Sequence, residues 1–216
     1  MKQRSISVAF MIGDDADVVE TLGPWEVFQD AVVGGTNDHR RPFNLYTVAP
    51  TRDVVTLTGG LRVDPHFSID EAPQPDVIVV PAQRTDPDIL GWLRNAGARC
   101  DAVISVGISA FQLARSGLLD GVPATTHHHY WEKFASEFPH IQLHRGSELV
   151  DGGKFLTGRR RTSGRDLALH VVRRYFGEDV ARATANYIDH DSLDWRNIHG
   201  VARPARSPGA RWNCTW

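Results

Sequence analysis

Four short apolar runs set the terms on which this chain can fold: Ile6–Ile12 (ISVAFMI), Phe43–Ala49 (FNLYTVA), Asp76–Pro81 (DVIVVP) and Ala102–Val106 (AVISV). The first, third and fourth are nearly all Val, Ile and Ala with Phe or Met. That is the pattern of strands buried on both faces of a parallel sheet, whereas the second run alternates. Parallel neighbours need crossovers, and the intervening segments are helix-like. Asp17–Val33 carries Val19, Leu22, Val27 and Ala31 at helical spacing, with Gly23-Pro24 expected to interrupt it. Asp86–Ala98 has Pro87 in its first turn and Gly97 near its end, the usual helix asymmetry. Ile108–Ser116 reads as a further helix. Strands alternating with helices predict an α/β fold around a mainly parallel central sheet.

The rest of the chain adds shorter pieces. Val54–Ile69 reads as short strands or a hairpin around Gly59-Gly60, and Tyr130–Glu137 as a helix stopped before Pro139. Leu149–Thr157 places Asp151-Gly152-Gly153 between two apolar runs, a hairpin signal. Thr162–Phe176 is the last strongly marked helix. With 216 residues the chain is long for one small domain and short for two, so residues 1–192 are read as one domain. Residues 193–216 differ, holding Pro204, Pro208, four arginines and three of the six tryptophans (Trp195, Trp212, Trp216). Those rings need burial, so this extension is expected to pack on the body, on a partner subunit or at a pocket mouth.

Composition removes several function classes. Lys+Arg number 24 against 26 Asp+Glu, a net charge of −2, so no general basic field draws nucleic acid or anionic lipid. No apolar run approaches the roughly 18 residues of a membrane span. The stretch before Asp14-Asp15 is too short for a signal peptide. Cys100 and Cys214 are the only cysteines, which argues against a disulfide framework and for a cytoplasmic location.

Four segments in order, Glu20–Phe28 (ETLGPWEVF), Asp76–Pro81, Ser105–His127 (SVGISAFQLARSGLLDGVPATTH) and Thr162–His170 (TSGRDLALH), resemble the DJ-1/PfpI superfamily, most closely its isonitrile hydratase-like branch. The GLLDGxxATTH run is the most specific piece. The resemblance implies a flavodoxin-like three-layer α/β sandwich, commonly a homodimer, with its site at the carboxyl ends of the strands. In such proteins a cysteine sits on a sharp strand-to-helix turn, beside a carboxylate from the first helix. Here Glu20 matches the carboxylate, but Gly107 stands where the cysteine belongs. Cys100, before the strand, and Cys214, in the extension, do not obviously replace it.

Other departures surround that position. Ala82-Gln83 stand in for a Gly-Gly pair, Ile108 for a small polar residue, and Thr157-Gly158-Arg159-Arg160-Arg161 for a glycine-rich turn. A naturally remodelled pocket follows, with Glu20 and His127 as acid/base candidates. Trp25, Gln83, Gly107, Ile108, Thr126, Arg159, Arg160 and Arg161 are the candidate substrate-binding residues; an arginine suits a carboxylate or phosphate. Competing structural roles exist for several: helix-start placement for Glu20, packing for His127 and Trp25, surface ion pairs for the arginines. Ser109 is read as a helix-start cap rather than a nucleophile. His127-His128-His129 invites a metal, but consecutive side chains are expected to point apart, so neither metal nor cofactor is expected.

Without a thiolate, non-covalent proton transfer on a small, anionic, aromatic molecule is the expected chemistry. Among cysteine-less proteins similar to this chain are natural-product enzymes, including ones that carry out Pictet–Spengler condensation of a tryptophan-like amine with an aldehyde or keto acid. That cyclase or lyase role is the leading expectation. The alternatives are isonitrile hydration by Glu20-activated water and a non-catalytic ligand-binding module. Related sensor domains are joined to DNA readers, and the short stretch after Phe176 is expected to leave no room for one.

Overall fold

Along the first strand, β1 (Ile6–Met11), Val8 and Phe10 face one side and Ala9 and Met11 the other, and all four are buried. A strand apolar on both faces must be covered on both, and the computed structural model, which describes residues 4–34 and 39–200, shows how. β1 is followed by α1 (Val18–Asp30), β2 (Phe43–Ala49), the short strands β3 (Val55–Thr56), β4 (Arg62–Val63) and β5 (Phe67–Ser68), and β6 (Val77–Val80). Then come α2 (Pro87–Arg99), β7 (Ala102–Val106), α3 (Ala110–Arg115), β8 (Pro123–Ala124), α4 (Trp131–Glu137) and β9 (Gln142–Leu143). The chain continues through β10 (Leu149–Gly152), β11 (Phe155–Gly158), α5 (Ser163–Phe176), α6 (Glu178–Tyr187) and β12 (His199–Gly200).

The main sheet runs β12-β10-β11-β7-β6-β1-β2-β5. Its pairs are parallel except the β10–β11 hairpin. Val27 and Phe28 of α1, with residues of α5 and α6, cover the Val8/Phe10 face; residues of α2, α3 and α4 cover the other. Each fully buried Val, Leu, Ile, Phe or Met side chain in these layers contributes about 1.5–3 kcal/mol. This is the expected three-layer α/β sandwich. Because the chain leaves β1 toward β2 on one side and returns to β6 on the other, the sheet reverses direction at β1. The carboxyl ends of β1, β6 and β7 meet there, where α/β sheets bind ligands.

Several elements differ from the sequence reading. Helix α1 is not interrupted at Gly23-Pro24; it runs through Pro24, which is buried. A Cβ on Gly164 of α5 would lie 2.8 Å from Pro24 Cγ, so a residue without a side chain lets the two helices close over the ring. The expected Ile108–Ser116 helix is instead a 3-10 turn, Gly107–Ser109, followed by α3. The Tyr130–Glu137 helix is preceded by a 3-10 turn, His128–Tyr130. Helix α6 and the parallel β8–β9 pair were not foreseen. The first part of the extension packs on the body: Trp195 is buried in the core and β12 joins β10. Residues 201–216, with Trp212 and Trp216, lie outside the described residues.

Candidate functional site

Asp17 starts the site. Its side chain accepts from the Val19 and Glu20 N–H groups at 2.9 and 3.1 Å, capping α1, while its own N–H donates to the Ala82 carbonyl at 2.8 Å. This clamp fixes the first turn of α1 against the end of β6. It directs Glu20 inward, where only 2% of the residue is exposed. Glu20 Oε2 accepts from the Ala82 N–H at 2.6 Å. Burial pushes the Glu20 carboxyl up to about 8; the Ala82 hydrogen bond and the Arg161 charge oppose this, and the Asp17 charge adds to it. At neutral pH Glu20 is therefore mainly the neutral acid. Since Oε2 accepts from an N–H, the proton belongs on Oε1.

Oε1 faces Gly107. That residue follows β7 with φ +59°, the left-handed region that glycine enters freely. A Cβ built there would meet Glu20 Oε1 at 2.6 Å, and its three nearest atoms would all belong to the Glu20 carboxyl group. Glu20 and Gly107 thus pack against each other at the centre of the candidate site. Ser109 braces the turn: its hydroxyl oxygen accepts from the Val106 N–H at 2.8 Å and sits 2.9 Å from Ser105 Oγ. Thr126, fully buried, donates through its hydroxyl to the Gly107 carbonyl at 3.1 Å, so it holds the turn from the other side. Cys100 is remote, and burial pushes its thiol up to about 12, leaving it inert as a nucleophile.

Gln83 reaches back under β1. Its Oε1 accepts from the Gly13 N–H, and its Nε2 donates to the Met11 carbonyl at 3.1 Å. With Ile108, 39% exposed on the turn, it lines a cavity of about 160 Å³. Phe111, Gln112, Arg115, Tyr130 and Lys133 complete most of that wall. None of these five was singled out in the sequence, because they reach the cavity from α3 and from the segment around α4. Arg115 and Lys133 share one carboxylate, Glu137, at 3.4 and 3.7 Å.

The remaining candidates sit elsewhere. Arg159 and Arg160 both pair with Glu148, and Arg161 pairs with Asp17. Arg161 is the one of the three whose charge acts on Glu20. The Trp25 ring lies 4.8 Å from Phe10 and 6.4 Å from His66, against the core. His127 is half-buried at the start of the 3-10 turn, its pKa lowered by burial and by the charges of His128, His129 and Arg159. Its ring stacks on His128 at 4.4 Å and meets His129 at 5.0 Å, so the three consecutive side chains converge instead of pointing apart.

Comparison with known proteins identifies the family. The chain is 31% identical over 184 residues to the isonitrile hydratase of Pseudomonas putida, covering 82% of this chain and 75% of the hydratase. It is 24% identical over 218 residues to the HTH-type transcriptional regulator GbdR of Pseudomonas aeruginosa, covering 92% of this chain. The chain spans 57% of that regulator's length. A solved structure of a THiJ/PfpI family protein from Pseudomonas syringae shares the fold, with a TM-score of 0.76 at 22% identity over 88% of this chain and 77% of that one. The DJ-1/PfpI family profile matches residues 6–174, and on that match the chain belongs to the DJ-1/PfpI family.

Proposed function

We propose that the chain is a cysteine-independent, small-molecule acid/base enzyme that adds water to an isonitrile-like carbon. The observation that carries this reading is the Glu20 carboxyl: buried, raised to about 8, anchored through Oε2 and turned through Oε1 toward Gly107. A buried neutral carboxylic acid is a proton donor tuned near working pH. The resemblance puts a nucleophile at residue 107; Gly107 supplies none, and the Glu20 carboxyl closes on the turn in its place. Glu20 Oε1–H gives its proton to the terminal carbon of R–N≡C. A water oxygen bonds to that carbon, and a proton from this water returns to the Glu20 carboxylate. The product R–N=CH–OH then tautomerises to the formamide R–NH–CHO. Identity of 31% to an isonitrile hydratase supports this substrate class.

The R group lies in the cavity beside Gln83, which Ile108, Phe111 and Tyr130 also line. Arg115 and Lys133 against the single carboxylate of Glu137 leave a surplus positive charge there, which favours an acidic, aromatic R group. The condensation expected from the resemblance drew on Arg159, Arg160 or Arg161 to hold its anion. Those three are engaged by Glu148 and Asp17, and the named relatives include a hydratase but no cyclase, so hydration displaces it as the leading reading. A homodimer in the cytoplasm belongs to the same proposal.

A second reading, a ligand-sensing module, draws on the identity to GbdR. The test is formamide production from aryl isonitriles with and without an acidic group, in wild type and Glu20→Gln. Removing a general acid costs about 10²–10⁴ in rate. Turnover lost in the variant supports hydration. Saturable binding without turnover in either protein supports the sensing module. Cyclised product from tryptophan-like amines and keto acids restores the condensation.

A further inference from the structure

The three imidazoles at His127, His128 and His129 play no part in the hydration reading. In an extended segment, consecutive side chains leave on opposite faces. Here His127 precedes, and His128 and His129 begin, a 3-10 turn that curls the chain so the rings gather on one side. Ring centroids are 4.4 Å apart for His127 and His128, 5.0 Å for His127 and His129, and 4.2 Å for His128 and His129. One nitrogen from each lies within 4.8 Å of the other two.

The turn is braced on both sides of the cluster. Thr126, just before it, is tied by its hydroxyl to the Gly107 carbonyl, and Trp131, just after it, donates its indole N–H to the Thr126 carbonyl at 3.0 Å. The rings of Tyr130 and Trp131 flank His127 and His128 at 6.1 and 6.4 Å. His128 and His129 are exposed, so an ion reaches the cluster from solvent. The His129 N–H points at His127 Nδ1 at 3.4 Å, a long contact whose lone pair an ion takes in its place. Arg159 is the nearby positive charge, and its pairing with Glu148 blunts its repulsion of a cation.

We propose that His127, His128 and His129 form a binding site for a divalent transition-metal ion of the zinc, cobalt or nickel class. Neutral imidazole is a preferred ligand for these ions, and three nitrogen ligands leave a coordination position open to water or a small ligand. The site lies on the segment that holds the Gly107 turn and is separate from Glu20, so it stands whether or not the hydration reading does.

The test uses the full chain, free of any affinity tag and stripped with EDTA, titrated near neutral pH with Zn²⁺ by calorimetry and with Co²⁺ by visible absorption. The expected result is saturable binding of one ion with cobalt d–d bands. His128→Ala and His129→Ala should each weaken binding about 10-fold or more at an unchanged unfolding midpoint. His144→Ala, at the separate pair in which His144 and His199 lie 5.4 Å apart, should leave binding unchanged. Absence of binding, binding indifferent to His128 and His129, or binding lost with His144 overturns the proposal.

Discussion

Replacing Gly107 by alanine probes the contact on which the site turns. The new Cβ would lie 2.6 Å from Glu20 Oε1, against about 3.4 Å for an ordinary contact, so the carboxyl group must retreat by roughly 0.8 Å. Two costs follow. Alanine at φ +59° bears the left-handed backbone penalty of about 1–2 kcal/mol. The retreat also loosens the 2.6 Å hydrogen bond from Ala82 to Oε2, worth about 0.5–1.5 kcal/mol. Together they predict a loss of about 2–3 kcal/mol, a fall in Tm of roughly 4–12 °C for a chain of this size. In a Glu20→Ala background the carboxyl is gone, and the same substitution should cost only the backbone share. Urea unfolding of the four proteins at equal m-values gives the coupling energy, expected at about 1 kcal/mol. Equal cost in both backgrounds would refute the packing of Glu20 against Gly107.

Other perturbations follow from the same residues. Glu20 sits near 8 in the fold against 4.5 for the free group, so the folded state keeps a proton that the unfolded chain releases. Its contribution to stability is fully present below about 4.5 and is lost as pH rises to about 8, about 5 kcal/mol in all. Urea unfolding of wild type and Glu20→Gln at both ends of that window should show a fall in wild type larger than in the variant by about that amount. Arg161→Ala removes a charge that lowers the Glu20 pKa and frees Asp17, which raises it. The alkaline fall in hydration rate should therefore move to higher pH in a pH–rate profile. Asp151 is buried, which alone raises its pKa, but His170, Arg174 and the Gly153 N–H outweigh that and hold it low. Its contribution is present above the ordinary carboxylate range and lost as pH falls through its lowered folded pKa. Asp151→Asn should cost about 3–5 kcal/mol in urea unfolding. Because His170 also contacts the Trp195 carbonyl at 3.2 Å, that variant should expose the chain near Trp195 to protease.

The main strands were legible because their apolar character holds on both faces, which few other structures demand. The helices were less so. Pro24 reads locally as a break, and only its fit against Gly164 of α5 lets α1 continue. Helix α6 buries Ala181, Thr184 and Ala185, residues too small to mark an apolar stripe in sequence. Of the site, Glu20 and Gly107 were readable through resemblance, since the first helix and the turn after β7 have fixed places in the fold. Asp17, three residues before Glu20, carried a helix-cap signal that could have been read. The fate of Arg159, Arg160 and Arg161 was not readable, because Glu148 and Asp17 are brought to them by the hairpin and by α1. The convergence of His127, His128 and His129 depends on a 3-10 turn that alternation-based reasoning does not foresee.

The most direct measurement is the titration of Glu20 itself. Protein labelled with ¹³C at glutamate carboxyl groups is followed by NMR from acid to alkaline pH, with Glu20→Gln assigning the resonance. A carboxyl that titrates near 8 and vanishes in the variant is the result expected of a buried acid facing Gly107. A Glu20 resonance that titrates in the ordinary carboxylate range would contradict the proton-donor role and the hydration mechanism built on it.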